Sequence, residues 1–205
     1  MAAAEPRGQQ GRQYDQEQLE SQLRDALRAL MADGTSFRDL SVASIIEVAG
    51  VARSTFYTYF PDKSRMLMAL SAHSLRRHYE GQAHWIHKGA DATREDIVTG
   101  MRLVLDTFLE DEVVMRAVAE ASAYDATVRE AYRGGVEDYA QAMARMIRGG
   151  RSSGRMRAVE PVETAEALAW MTERTISQIV PRTSPVRLDA VADALADVVW
   201  RTLFS

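Results

Sequence analysis

A short stretch about a quarter of the way along the chain collects side chains that can form hydrogen bonds with nucleic acid. It holds one arginine, three hydroxyl residues and two tyrosines between the glycine at position 50 and the proline at position 61. Arginine and hydroxyl groups suit base edges and phosphate oxygens, and aromatic rings can pack against sugar and backbone. Because this is an unusual surface for a purely structural helix, the stretch indicates a DNA-binding surface.

The elements around this stretch have the order of a helix-turn-helix. Ser41 can cap a second short helix over Val42 to Ala49, and Gly50 supplies the conformational freedom that the turn after it needs. A third helix is predicted from about Arg53 to Phe60. The dipeptide Pro61-Asp62 then ends that helix and opens a longer fourth one, with the aspartate as its cap.

The run GVARSTFYTYFPDKSRML closely resembles the recognition region of the TetR family of transcriptional regulators, and residues 15–75 match that family's first four helices. Two further runs, TGMRLVLDTFLED and AWMTERTISQIV, resemble the EthR-like subgroup. The resemblance implies a dimeric repressor that binds a palindromic, double-stranded DNA operator and is released by a small hydrophobic or amphipathic ligand. It also implies DNA contacts from Ser41, Val42, Arg53, Ser54, Thr55, Tyr57, Thr58, Tyr59 and Lys63. Ala52 departs from the family pattern, which often has a capping Ser or Thr there.

The same resemblance implies a mainly apolar ligand site in the C-terminal part. It assigns that site to Ile97, Met101, Val104, Phe108, Tyr132, Val136, Tyr139, Met143, Thr172, Glu173 and Trp200. Apolar, aromatic and methionine walls suit a hydrophobic ligand. A stripe of such residues at helical spacing is also typical of an ordinary core, so both interpretations stay open for each residue.

Periodicity over the rest of the chain predicts an all-α fold of about nine helices. We expect a disordered arm over residues 1–13, a helix-turn-helix domain over 14–62 and a ligand-binding and dimerisation bundle over 63–205. The Gly/Ser/Arg-rich segment from Arg148 to Pro161 is predicted to be a linker, and Thr183-Ser184-Pro185 is predicted to start the last helix. Apolar spacing in the last two helices favours a homodimer interface there, built from Leu168, Met171, Ile179, Leu188, Val191, Leu195, Val198, Val199 and Leu203.

Composition narrows the remaining classes. The chain has 205 residues, a net charge of −4 and no cysteine, so disulfides and thiolate metal sites are excluded. Four histidines lie between positions 73 and 87, and His84 with His87 could share a helix face, but solvated or packed histidines are favoured over a metal site. We expect no cofactor, no membrane segment, no enzymatic activity and a cytoplasmic location. A helical carrier protein without DNA binding is the alternative function, and an activator cannot be separated from a repressor by sequence.

Overall fold

The computed structural model describes residues 7–151, 153–179 and 185–204, with side chains from residue 16 onward except at residues 185 and 186. Within these ranges the fold is all-α, as predicted, with a single antiparallel bridge between Met156 and Phe204. The described ranges hold nine α-helices: α1 Arg7–Leu30, α2 Val42–Ala49, α3 Arg53–Tyr59, α4 Lys63–Ile86, α5 Arg94–Glu110, α6 Glu112–Ala121, α7 Ala126–Arg151, α8 Pro161–Ile179 and α9 Pro185–Leu203. Short 3-10 helices occupy Phe37–Asp39 and Gly89–Asp91. None of the described helices is long and apolar enough to cross a bilayer.

Two predicted boundaries differ from the structure. Helix α1 begins at Arg7 rather than at Tyr14, so part of the predicted arm is helical, while residues 1–6 lie outside the described residues. Helix α7 runs to Arg151, into the predicted linker. Gly150, at the end of this helix, leaves room for Met156, because a β-carbon at position 150 would lie 2.0 Å from the methionine sulfur. The predicted caps at 183 and 184 lie outside the described residues.

The helix-turn-helix forms where its local signals predict it. Ser41 accepts a hydrogen bond from the Ser44 amide at 3.0 Å, and the Ser44 hydroxyl is within 3.1 Å of the Ser41 amide, which completes a capping box. Gly50 ends α2 in the left-handed conformation with φ 66°. Asp62 caps α4 through the Arg65 amide at 2.7 Å. Ala52 gives α3 no side-chain cap, as its residue type predicts.

Two hydrophobic clusters fill the molecule. The first packs α1, α2 and α3 against the front of α4 and continues into the apolar face of α6, where Val114 and Val118 are buried. The second lies among α5, α7, α8 and α9 around the fully buried Trp85. The first cluster therefore crosses the predicted domain boundary at residue 62, and the helix-turn-helix shares a core with the C-terminal bundle.

Helices α4 and α5 touch backbone to backbone. A β-carbon at Gly100 would lie 2.7 Å from the carbonyl oxygen of Gly81, and one at Gly81 would lie 3.3 Å from the carbonyl oxygen of Gly100. Trp85 packs beside this contact, with its Cδ1 atom 3.0 Å from a β-carbon placed at Gly100. Because backbone atoms cannot give way like a flexible side chain, alanine at position 100 would force the two helices apart.

Candidate functional site

The outer face of α3 is polar and exposed, and its inner face is anchored. Arg53, Ser54, Thr55, Tyr57 and Thr58 are all exposed, and the Tyr57 side chain keeps 44% of its surface accessible. The Arg53 guanidinium lies 5.5 Å from the centre of the Tyr57 ring, which is a cation–π distance. The structure therefore brings these five predicted residues together on one surface.

The other residues predicted to contact DNA are placed differently. Tyr59 is half-buried and packs against the first hydrophobic cluster, and so does Val42 at the start of α2. Both lie in the head, which is our name for α1 to α3 together with the first half of α4. Ser41 is exposed, although its hydroxyl already serves the capping box. None of these three residues is part of the exposed face of α3 described above.

Lys63 is engaged inside the protein. Its ammonium donates hydrogen bonds to the carbonyl oxygens of Phe37 at 3.1 Å, Arg38 at 2.8 Å and Leu40 at 2.8 Å. Partial burial lowers the pKa of Lys63 from its ordinary value. A lysine ammonium has three donors, so in this structure all of them serve the first 3-10 helix and none is left for the phosphate contact that the resemblance implies.

The opposite end of the same 3-10 helix is held by a carboxylate from the C-terminal bundle. Glu120 of α6 accepts hydrogen bonds from the Ser36 hydroxyl, from the Phe37 amide at 3.1 Å and from the Arg38 amide at 3.0 Å. Free amides at one end of a helix favour a negative charge, and free carbonyls at the other favour a positive one. Glu120 and Lys63 therefore fix the segment that leads into the helix-turn-helix.

Further hydrogen bonds attach α6 and its ends to the same head. Arg116 donates to the carbonyl oxygen of Met31 at the end of α1, at 3.0 Å. The buried Asp111, just before α6, accepts from Ser74 at 2.6 Å and from Arg24 at 3.3 Å. The sequence analysis did not find these hydrogen bonds because the two residues of each pair lie more than 30 positions apart along the chain.

A small, largely buried cavity of about 50 Å³ lies among α4, α5, α6, α7 and α8. A cavity of this size accommodates water molecules but not a ligand of ordinary drug size. Six of the eleven residues predicted to bind ligand line it: Phe108, Tyr132, Val136, Tyr139, Thr172 and Glu173.

The other five predicted residues do not line this cavity. Ile97, Met101, Val104 and Met143 are fully buried in the second cluster, and Trp200 stacks on Phe204 with ring centres 4.5 Å apart. The lining residues that the sequence analysis missed are Leu75, His78, Tyr79 and Gln82 of α4, Met115 of α6, and Ile176 and Ser177 of α8. The four from α4 follow the spacing i, i+3, i+4, i+7, so one helical face supplies them, and that spacing was available as a signal.

Unpartnered polar atoms concentrate at this cavity. Seven buried side-chain atoms of the described residues have no hydrogen-bond partner, and six of them belong to residues that line the cavity. These six are His78 Nδ1, Gln82 Nε2 and Oε1, the Tyr139 hydroxyl, Thr172 Oγ1 and Glu173 Oε2. Buried polar groups are normally hydrogen bonded, so this concentration marks the cavity as more than a packing gap.

Burial controls the protonation of the cavity wall. It lowers the pKa of His78 to about 4, so the imidazole is neutral at neutral pH. Burial raises the pKa of Tyr139, and burial together with the Glu173 charge raises that of Tyr132. Both phenols therefore keep their protons, and Tyr132 donates its own to Glu173.

An open groove adjoins the cavity on the outside of the bundle. It runs between α6, α7 and α8 with a volume of about 490 Å³, and Tyr132, Glu173 and Ser177 line both spaces. The hydrogen bond between Tyr132 and Glu173 therefore lies between the buried cavity and the open groove. No cluster of three or more metal-ligating side chains occurs among the described residues.

The chain is similar over most of its length to known regulators, one by sequence and one by structure. The regulator EthR of Mycobacterium tuberculosis strain H37Rv is 31% identical over 140 residues, which cover 67% of this chain and 65% of EthR. The match thus spans just under two thirds of that relative. The repressor NalD of Pseudomonas aeruginosa, described as the secondary repressor of the MexAB-OprM multidrug efflux pump, has a TM-score of 0.70 at 16% identity and covers 92% of this chain and 98% of its own.

Two family models match the chain, one over its N-terminal part and one over its C-terminal part. Residues 23–70, from α1 through the front of α4, match the model of the bacterial regulatory proteins of the tetR family. Residues 97–205, more than half of the chain, match the model of the C-terminal domain of the transcriptional regulator EthR. This chain belongs to the TetR family of transcriptional regulators, with a C-terminal domain of the EthR type.

Proposed function

We propose that the protein is a transcriptional repressor that binds a palindromic operator as a homodimer and is released by a small ligand. The observation that carries the DNA-binding part is the exposed face of α3, with Arg53 stacked on Tyr57 and hydroxyls beside them. In a helix-turn-helix, the second helix enters the major groove and its first residues meet base edges. Arg53, Ser54 and Thr55 begin α3 and are proposed to make those contacts.

The homodimer is proposed to form through the outer faces of α8 and α9. Leu168, Leu195, Val199 and Leu203 are buried within the chain itself, so they do not contribute to the interface assigned from the sequence. Val198 and Ile179 remain exposed at 43% and 46%, and Val162 is exposed as well. Leu188, Val191 and Met171 are half-buried at the edge of the second cluster. The exposed apolar residues favour a narrower interface that a second copy of the chain covers.

The link between ligand and DNA is proposed to run through α6. Met115 of α6 lines the cavity, and Glu120 of the same helix holds the 3-10 helix before the helix-turn-helix. A ligand larger than the cavity must displace part of its wall. If α6 moves, the hydrogen bonds of Glu120 and Arg116 to the head change with it, and the two heads of a dimer no longer match the groove spacing.

The test is a selection of DNA duplexes with the purified protein at defined salt, followed by titration of the enriched sequence. We expect a palindrome, bound with strong salt dependence. Arg53→Ala and Tyr57→Ala should each weaken binding about tenfold or more while helicity and oligomeric state are kept. Arg145→Ala removes the same charge from an exposed site on α7 and should have little effect.

A carrier protein is the second candidate, since the cavity by itself would serve one. A folded dimer that enriches no duplex, with or without added ligand, would favour it. Equal DNA affinity of the parent protein and the Arg53 variant would also contradict the proposed surface of α3.

A further inference from the structure

The polar atoms of the cavity require a partner that the wall does not provide. Gln82 is 1% exposed, Thr172 is 2% exposed and Tyr139 is 8% exposed, yet none of their terminal atoms has a hydrogen-bond partner. A buried polar group without a partner costs stability, and the penalty recurs here at several neighbouring residues. A ligand with hydrogen-bonding groups would meet that need better than the mainly apolar ligand expected from the sequence.

The charge on the cavity wall indicates the sign of the charge that a ligand should carry. Glu173 is the one carboxylate among the described lining residues, and its Oε2 atom is buried and without a hydrogen bond. The lining histidine is neutral at neutral pH, and the lining tyrosines carry no charge there. Arg174 is the basic side chain next to Glu173, but its Nε atom lies 3.7 Å from Oε2 and its side chain is 68% exposed. That distance is too long for a hydrogen bond, and the guanidinium lies mostly in solvent, so Oε2 is left without a hydrogen-bond donor.

The remaining wall describes the rest of the ligand. Phe108, Met115 and Ile176 are buried or nearly so, and they present apolar surface to the cavity. The rings of Tyr132 and Tyr139 line it as well, and aromatic faces attract a cation as well as apolar groups. The site thus combines one buried negative charge, unpartnered hydrogen-bonding groups that are mostly able to accept, and an apolar side.

We propose that this cavity binds an amphipathic amine, with its ammonium group facing Glu173 and its apolar part against Phe108, Met115 and Ile176. An ammonium brings N–H donors to the carboxylate, to the Gln82 carbonyl and to the Thr172 hydroxyl, and it brings the opposite charge to Glu173. Because the cavity is smaller than such a ligand, the proposal includes a movement of the Tyr132 phenol away from Glu173, which would open the cavity toward the adjoining groove that the same two residues line. The inference rests on the proposed effector role of the C-terminal bundle and names the chemical class of the effector.

The test measures binding without DNA, so it is independent of the operator. Titration calorimetry on the full-length protein compares hexylammonium with hexan-1-ol, which has the same chain and no charge. We expect hexylammonium to bind about tenfold more tightly or better, the ratio that a charge-assisted hydrogen bond provides. Glu173→Gln keeps an acceptor of the same shape and should remove the difference between the two probes. Glu163→Gln on the exposed surface of α8 is the matched control and should keep it.

Tyr132→Phe gives a second result that does not depend on how Glu173→Gln folds. It removes the hydrogen bond that competes for Glu173, so the preference for hexylammonium should be kept or increased. Equal binding of both probes to the parent protein, or a preference for the amine that survives Glu173→Gln, would overturn the proposal. Binding of neither probe would show that the polar atoms serve water alone and would overturn it too. A protein that binds hexylammonium as expected but selects no DNA would instead contradict the repressor function.

Discussion

The polar groups that hold the helix-turn-helix are hydrogen bonded, whereas many of those that line the cavity are not. At the junction with the head, Glu120 accepts three hydrogen bonds and Lys63 donates three. At the cavity, residues buried at least as deeply leave six polar atoms without partners. The head thus presents its unpaired groups to solvent on the outer face of α3, whereas the bundle keeps its unpaired groups inside.

The difference distinguishes polar groups that stabilise the fold through hydrogen bonds from buried polar groups that have no partner within the protein. A satisfied group stabilises the fold, and removing it leaves its partners orphaned. An unsatisfied buried group lowers stability, so replacing it with an apolar group of the same shape should raise stability. The sign of a mutational effect on stability therefore reports which kind a residue is, and the following substitutions test this from the largest effect to the smallest.

Glu120→Ala should have the largest effect. The substitution leaves the Phe37 amide and the Ser36 hydroxyl without an acceptor, and the Arg38 amide keeps only its bond to the Ser36 oxygen. It also removes a charge that these amides favour, so we expect a loss of about 3 kcal/mol in the free energy of unfolding. Urea denaturation measures it. Glu130→Ala, an exposed glutamate on α7, is the control and should change stability little. A loss for Glu120→Ala no greater than that of the control would show that the two regions do not differ in this way.

Lys63→Met should lower the free energy of unfolding by about 2 kcal/mol, since the Arg38 and Leu40 carbonyls lose the lysine donor and the Phe37 carbonyl keeps only its bond from the Leu40 amide, while the apolar stem is kept. Arg65→Met on the exposed side of α4 is the matched loss of charge. The same pair of variants separates the internal role of Lys63 from a phosphate contact. If Lys63 acts only inside the protein, the salt dependence of operator binding should stay unchanged, whereas a phosphate contact would reduce its slope by about one.

Substitutions at the cavity should have the opposite sign. Tyr139→Phe and Thr172→Val each remove an unpartnered hydroxyl with little change of shape, and each should raise the free energy of unfolding by about 1 kcal/mol. Tyr132→Phe removes a hydroxyl that is hydrogen bonded to Glu173 and should lower it by a similar amount. Thermal unfolding of the three variants in parallel gives the comparison. Destabilisation by all three would mean that the Tyr139 and Thr172 hydroxyls are satisfied in solution.

The head was predictable from sequence because its signals are local. Ser41, Gly50 and Asp62 each act within four residues of their own position, and the structure confirms each of these roles. The internal hydrogen bonds of Lys63 could not be predicted from neighbouring residues, since the carbonyl groups that accept them lie more than 20 positions away. Geometry between distant segments decided that its donors serve the 3-10 helix.

The cavity was predictable only in part because a wall and a core have the same residue types. Phe108 and Val104 lie on the same face of α5 and both are buried, yet only Phe108 lines the cavity. Periodicity identifies the buried face of a helix, but the place where two faces fail to meet depends on the packing of all the helices. The face of α4 from Leu75 to Gln82 has the spacing of a buried helical face, but spacing does not tell which cluster a face packs on, and the front half of α4 packs on the other cluster.

The close contact between Gly81 and Gly100 is the pivot about which α4 would turn if it rotated against α5. Gly81 lies 18 positions after Lys63, and at 1.5 Å per residue the helix between them is about 27 Å long. A rotation of about 5° at the pivot would carry the Lys63 end by about 2 Å, from the length of such a helix alone. Gln82 and Tyr79 of the cavity sit within two residues of the pivot. A rotation that hardly moves the atoms near Gly81 would therefore move the helix-turn-helix end of α4 by a larger distance, because displacement grows with distance from the pivot.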